Sequence, residues 1–549
     1  MIRLARRAPA RTRLVVLAVL AAAVAACSGP ARAAVPGAGP VPAPRSSSEG
    51  LDAAARAHPL AFLDRLGWGA DAAQLRELRD IGATRLLDAQ LRPAARPELP
   101  APVARSLAGL PADAPLQDWV PQWVASLRRV RMRARPGGAD GVPAGVQQQL
   151  KELRQRGNVL TREAMAQQLL LDVYASNQLQ QRLTWFWMNH FNVFRGGLVG
   201  PMMGDYAQRV IAPRALGHFR DLLQATMFSP QMLLYLDNAQ NARGHINENY
   251  AREVMELHTL GVGAGYTQAD VTDLAHVLTG LGVDLLNRPV RVRPALRDLV
   301  WRQGLVVFNP ARHDPRPEVV LGHTLQGRGI GEIEQVITLL ADDPATARHV
   351  SFELAQYFVG DHPDPALVRA MVRTWRRSDG DIAAVLRTLF TSPQFVASLG
   401  RPQFKDPMRY VISAVRTSIG DRTIRNAQPL LGMLARLGEP LYARSTPDGY
   451  PIDGGSWDSP GQLTTRFQIA RQLGAGAPAL FVPPRRDRSG AALARSPRPR
   501  GRPPALATGA VFLAAEPALR PATVQALAQV HNRVRWNALW LASPEFMND

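Results

Sequence analysis

Apolar residues recur at helical spacing along almost the whole of this chain. Nowhere do they alternate with polar ones for long enough to read as a series of strands. That periodicity predicts an all-α fold: one large multi-helix domain over residues 51–549, with long loops rich in Pro, Gly and Arg. Its punctuation agrees. "FSPQM" from Phe228, "TSPQF" from Thr391 and "SPEF" from Ser543 each follow an apolar run. Serine accepts a hydrogen bond at a helix start and proline suits the first helical position, so each phrase marks a corner whose Met or Phe turns into the core. The three lie much farther apart than the roughly 20–50 residues of a solenoid repeat. Residues 71–91 read as one helix, and Thr161 reads as the cap of another that runs to about Phe194.

Sixty-five basic residues against 45 acidic ones give a net charge of +20. Such a balance points first to nucleic acid. Yet only Lys151 and Lys405 are lysines, as a GC-rich coding bias would produce, and seven of the arginines crowd between Arg485 and Arg502. No aromatic residue is interleaved there for base stacking, so nucleic acid is not an expected partner and polyanion binding ranks last. Residues 483–509 have no apolar face and are expected to lack fixed structure. Residues 131–158 read as a charged insertion, part loop and part exposed helix.

The N-terminus is an address. Residues 1–13 hold five arginines and no acid, and residues 14–26, "LVVLAVLAAAVAA", are continuously apolar. That stretch falls short of the ~20 residues a bilayer span needs. A basic head before a short apolar stretch is a secretory signal, and Arg6-Arg7 admits twin-arginine export. The segment closes on "VAAC", which resembles the lipobox of bacterial lipoproteins and makes Cys27 the expected lipidation site. The other reading is a free thiol in a cleaved peptide. Cys27 is the only cysteine, so no disulfide can form within the chain. Ser28 stands where an inner-membrane retention signal would carry Asp, which implies the outer membrane, facing the periplasm. Residues 28–50 read as a flexible tether.

The densest chemistry lies in residues 247–271, "NENYAREVMELHTLGVGAGYTQADV". Much of it has a structural reading. Asn247 or Asn249 can cap a helix that ends at Gly261 to Gly265, with Tyr250, Val254 and Leu257 on its buried face. Glu248, Arg252 and Glu256 form a ladder of i, i+4 pairs, and Thr267 with Asp270 forms a capping box. Glu253 and His258 are left over. They stand about 140° apart around a regular helix and cannot hold one ion without ligands from elsewhere. His190 shares an apolar stripe with Leu183, Trp187 and Phe194, as either a core histidine or a ligand and proton-transfer group. The loop "FNPARHDP" (308–315) offers His313 and Asp314, either as an exposed turn or as the missing ligands.

Imidazole mixed with carboxylate suits a divalent metal such as Zn²⁺, Mn²⁺ or Fe. Two functions therefore stay open. The first reading is a lipid-anchored helical module that docks a partner, with an enzyme as the alternative. The other is a metal-dependent hydrolase of the envelope, with His190, Glu253, His258, His313 and Asp314 as ligands and Glu253, His258, His313 and Asp314 as catalytic candidates. The second requires three distant segments to meet at one cavity.

The ordered phrases "FLDRLGWGA" (62–70), "NHF" (189–191), "YLDNAQN" (235–241), the 247–271 stretch, "FNPARHD", "LAQYFVGDHP" (354–363), "FKDP" (404–407) and "GYPIDGGSWDSPGQLTTR" (449–466) resemble the DUF1800 family, bacterial proteins of unknown function. The resemblance implies a predominantly helical fold, frequent export and frequent genomic pairing with DUF1501 proteins, which would be the docking partner. It implies no reaction. Its phrases coincide with His190, Asn247, Glu248, Arg252, Glu253, Glu256, His258, His313 and Asp314, and so mark His190, Asn247, Glu248 and Arg252 as ligand-binding candidates. Three positions depart from the pattern: Glu318 and Glu353 stand where lysine is common, and Leu281 where tryptophan is usual. If either lysine serves an anionic ligand, this chain has lost or changed that role.

Overall fold

Short polar side chains decide where the helices begin. Ser229, Ser392 and Ser543 accept from the backbone N–H of Met232, Phe395 and Phe546, each with a proline following, and those three apolar residues are buried. The Ser-Pro phrases are therefore corners, as predicted. Asp71, Asp343, Asp364, Asp381 and Asp406 cap five further helices in the same way. Thr267 and Asp270 form the expected reciprocal capping box.

A computed structural model describes residues 47–108, 114–134, 143–327, 329–483 and 501–549, and over these the chain is predominantly helical. Cys27, the 1–27 leader, most of the 28–50 tether, part of the 131–158 insertion and residues 484–500 of the basic loop lie outside them. At the edges the expected boundaries shift. The last residues of the tether belong to the helix Ser47–Ala57, and the insertion is largely taken up by the helices Leu116–Arg133 and Ala144–Tyr174. Beyond the basic loop, Leu506 is buried and Asn537 Nδ2 donates to Pro504 O at 2.8 Å, so residues near 504–508 are fixed. Among the described residues no helix is long and apolar enough to cross a membrane.

Two helices differ from the sequence reading. Residues 71–91 form two, Ala72–Ile81 and Ala83–Leu91, broken at Gly82. Gly82 has φ +81°, and Asp52 Oδ1 beside it accepts from Thr84 N at 3.0 Å. Thr161 is not a cap. It lies inside the 31-residue helix Ala144–Tyr174, its Oγ1 donating to Gly157 O at 3.0 Å. That helix stops because the next side chain takes over its free carbonyls: Gln178 Nε2 donates to Asp172 O at 3.1 Å and Ala175 O at 2.8 Å. A new helix, Gln178–His190, then carries His190 at its end.

Among the described residues, strands occur in two small antiparallel sheets. Leu281–Val283 and Trp301–Gln303 flank Val306–Phe308, with Leu281 and Trp301 both opposite Phe308. Glu318–Val320 pairs with His323–Leu325. Strands of three residues are too short to show a period of two, which is why the pattern concealed them. The first sheet delivers buried Phe308 to the start of the 308–315 loop.

The apolar core runs from Leu51 to Met547, with a satellite cluster around Trp123. Among the described residues five arginines, Arg65, Arg182, Arg409, Arg416 and Arg466, are buried. Arg182 Nη1 donates to Arg65 O and Gly67 O at 2.9 Å each, and its guanidinium lies 4.9 Å from the Tyr357 ring centre. Asp549 receives Arg65 at 3.0 Å and Arg409 at 3.3 Å.

Candidate metal centre

The helix Pro344–Val359 places His349 and Glu353 one turn apart, facing the end of the helix that carries His190. His190 Nδ1 lies 2.7 Å from Glu353 Oε2, and His349 Nε2 lies 3.7 Å from Glu353 Oε1. One ligand atom from each of the three lies within 4.8 Å of the others. The segment predicted to be a regular helix backs them. It begins as an α-helix at Asn249–Glu253 and then widens into a π turn, Val254–His258. Backbone carbonyls of this turn meet both imidazoles: His258 O is 3.1 Å from His190 Nε2, and Leu257 O is 3.2 Å from His349 Nε2.

The wide turn also changes which side chains face inward. Met255 and His258 are buried and Leu257 only half so, whereas regular winding pointed to Leu257. The His258 ring lies 6.2 Å from that of His190, and its Nε2 has no hydrogen-bond partner. Burial, with His190 and His349 alongside, holds its pKa well below the ordinary histidine value and keeps it neutral. Burial pushes the Glu353 carboxyl up, but the two neighbouring imidazoles outweigh it and hold it below the usual range.

A cavity of about 280 Å³ opens onto this group, lined by Phe186, Asn189, His190, Glu353, Asp448 and Tyr450 among others. Its far wall is the "GYPID" segment, clamped by one amide: Asn189 Nδ2 donates to Tyr450 O at 2.8 Å and Asn189 Oδ1 accepts from Tyr450 N at 2.6 Å. Only glycine fits before it. At Gly449, φ is +71° and a Cβ would fall 2.4 Å from Asn189 O.

The other sequence candidates do not join this group: the five-residue site expected for the hydrolase is not formed, and of its ligands only His190 belongs here. Asp314 belongs to a second cluster with His276 and Glu318. There Arg316 Nη2 stands 2.8 Å from Asp314, 3.6 Å from Glu318 and 3.1 Å from His276 Nδ1. A guanidinium thus takes the place an ion would need. Its hydrogen bonds hold the Asp314 carboxyl down at about 2. His313 is turned elsewhere, with Nδ1 3.0 Å from Thr279 O and Nε2 3.1 Å from Glu332 Oε1. Both residues of this pair are buried, so the loop is not an exposed turn.

Glu253 is half-buried and enters neither cluster. Burial and the nearby Glu256 raise its carboxyl. Glu248 is held by Arg252 at 3.2 Å, Gln268 at 2.7 Å and Thr272 at 2.8 Å, and Arg252 turns to Gln268 instead of Glu256. Asn247 Oδ1 accepts from Asn249 N at 3.0 Å, while no side chain caps the helix proper. These residues knit the helix to the next one and offer no free ligand set.

A family model, described as a protein of unknown function (DUF1800), matches residues 61–548. The chain belongs to the DUF1800 family. No curated protein and no solved structure matches it. Within this DUF1800 chain, Glu318 and Glu353 are the residues that complete the two His/carboxylate clusters. The sequence reading missed His349, His276 and Glu332 as partners. His349 had a visible signal, since His and Glu four apart on a helix share a face. His276 and Glu332 had none, because tertiary contact alone brings them to Asp314 and His313.

Proposed function

We propose that this DUF1800 chain is an exported, lipid-anchored helical protein that performs metal-assisted hydrolysis at His190, His349 and Glu353. One observation carries the reading: three ligand atoms converge within 4.8 Å beside a cavity. Two imidazoles and a carboxylate are a donor set that catalytic zinc takes, with a fourth position left for water. A bound ion would supply a water acidic enough to act as nucleophile near neutral pH. Among the described residues no Arg or Lys forms an ion pair with Glu353. An ion must replace the His190–Glu353 hydrogen bond, so ion and proton compete and affinity falls with pH.

The test is titration of purified full-length protein with Zn²⁺, with elemental analysis and a chromogenic ester panel. One ion per chain is expected, with binding at least 100-fold weaker in His349→Ala/Glu353→Gln. Wild-type protein that binds no divalent ion overturns the reading. The lipobox and tether support the anchor. The proposal also keeps a DUF1501-type partner for the anchored protein. Detergent extraction of wild type and Cys27→Ala checks both, since the variant should leave the membrane fraction and a specific partner should co-purify with wild type.

A further inference from the structure

A second cavity, of about 750 Å³, lies between the helices Leu116–Arg133 and Ala144–Tyr174 and the 195–201 segment. Arg131, Arg154, Arg162 and Arg195 line it, and among the described residues no Asp or Glu does. None of the four has an ion-pair partner among the described residues, and Arg195 Nε is buried with no hydrogen-bond acceptor. The rest of the wall is largely apolar, with Trp123, Leu127, Met165, Leu198 and Leu431. Helical spacing builds this arrangement. Residues 123, 127 and 131 repeat every four along one helix, and 154, 158, 161, 162 and 165 share a face of the other. Gly157 lets the indole approach. A Cβ there would lie 3.0 Å from Trp123 Cζ2 and 3.2 Å from Pro201 Cγ.

Four permanent cations around one space, with no carboxylate among the described lining residues, create a positive potential that favours an incoming anion. Each guanidinium offers a planar fork matched to phosphate oxygens. An apolar wall beside them gains from covering hydrocarbon. We propose that this cavity binds an anionic amphiphile, with a phosphate on the arginines and an alkyl or acyl chain against Trp123 and Leu127. The site is independent of the metal centre and shares no residue with it.

Calorimetry on the full chain with dioctanoyl phosphatidic acid, below its micelle concentration, tests this. It should bind at least tenfold more tightly than inorganic phosphate, and raised NaCl should weaken it. Arg154→Gln/Arg162→Gln, both exposed, should cost at least tenfold. Arg195→Gln, checked for an unchanged thermal transition, should do the same. Binding also to phosphatidic-acid vesicles assigns a membrane source, and binding to the monomeric lipid alone assigns a diffusing one. Equal affinity for inorganic phosphate, or arginine variants that bind like wild type, overturns the proposal.

Discussion

Asp549 shows how single residues hold this body together. Its carboxylate is sealed from water between Arg65 and Arg409. Burial alone would raise its pKa, but the two guanidiniums hold it down at about 2. A carboxyl depressed in the folded state stabilises the fold above its unfolded value of about 3.9 and loses that contribution as pH falls toward 2, here roughly 2–3 kcal/mol. Denaturant melts of wild type should therefore weaken across pH 4 to 2. Asp549→Ala should flatten part of that slope and cost about 3–5 kcal/mol at pH 7, because buried Arg65 loses its carboxylate and Arg409 keeps only Asp406. Arg316 allows a sharper test of the second cluster. If its guanidinium is what occupies the space between His276, Asp314 and Glu318, Arg316→Ala should bind one more Zn²⁺ than wild type does. An unchanged stoichiometry would refute that account.

Elements were legible where local chemistry sets them. The Ser-Pro corners and the Thr267–Asp270 capping box follow from side chains bonding their own backbone within three residues, so the sequence alone suffices. Ser392→Ala should cost about 1 kcal/mol in equilibrium unfolding, the usual worth of such a cap. Breaks were less legible. Gly82 interrupts a periodic run with φ at +81° beside Asp52, and the 144–174 helix runs through Thr161, whose hydroxyl bonds back to Gly157 O. Gly82→Ala should destabilise even though helix-interior propensity alone would favour alanine, since its φ of +81° strains any side chain. A Tm equal to wild type would contradict this.

At the scale of the whole molecule, the fold class was readable and the site only half so. Helical periodicity is repeated along the chain and survives local exceptions. A ligand set depends on which elements meet, and no periodicity encodes that. His190 and His258 were singled out and do lie together, while His313 and Asp314 sit in separate contacts. Glu353, noted as a departure from the family pattern, is the carboxylate that joins His190 to His349. Because an ion that binds the folded state alone stabilises it by mass action, excess Zn²⁺ should raise the Tm of wild type and a chelator should reverse the rise. Glu353→Gln should show neither shift.

The wide turn at Val254–His258 has a consequence for how this family chain tolerates change in length. A π turn holds one more residue than an α turn, so excising Met255 would let the backbone rewind tightly. The chain beyond the cut would keep its place, because the wide turn absorbs the loss that would swivel a regular helix by about 100°. His258 would stay in the interior, with its carbonyl still beside His190. One codon lost there should be tolerated, whereas one lost between His349 and Glu353, in regular α-helix, should silence the centre.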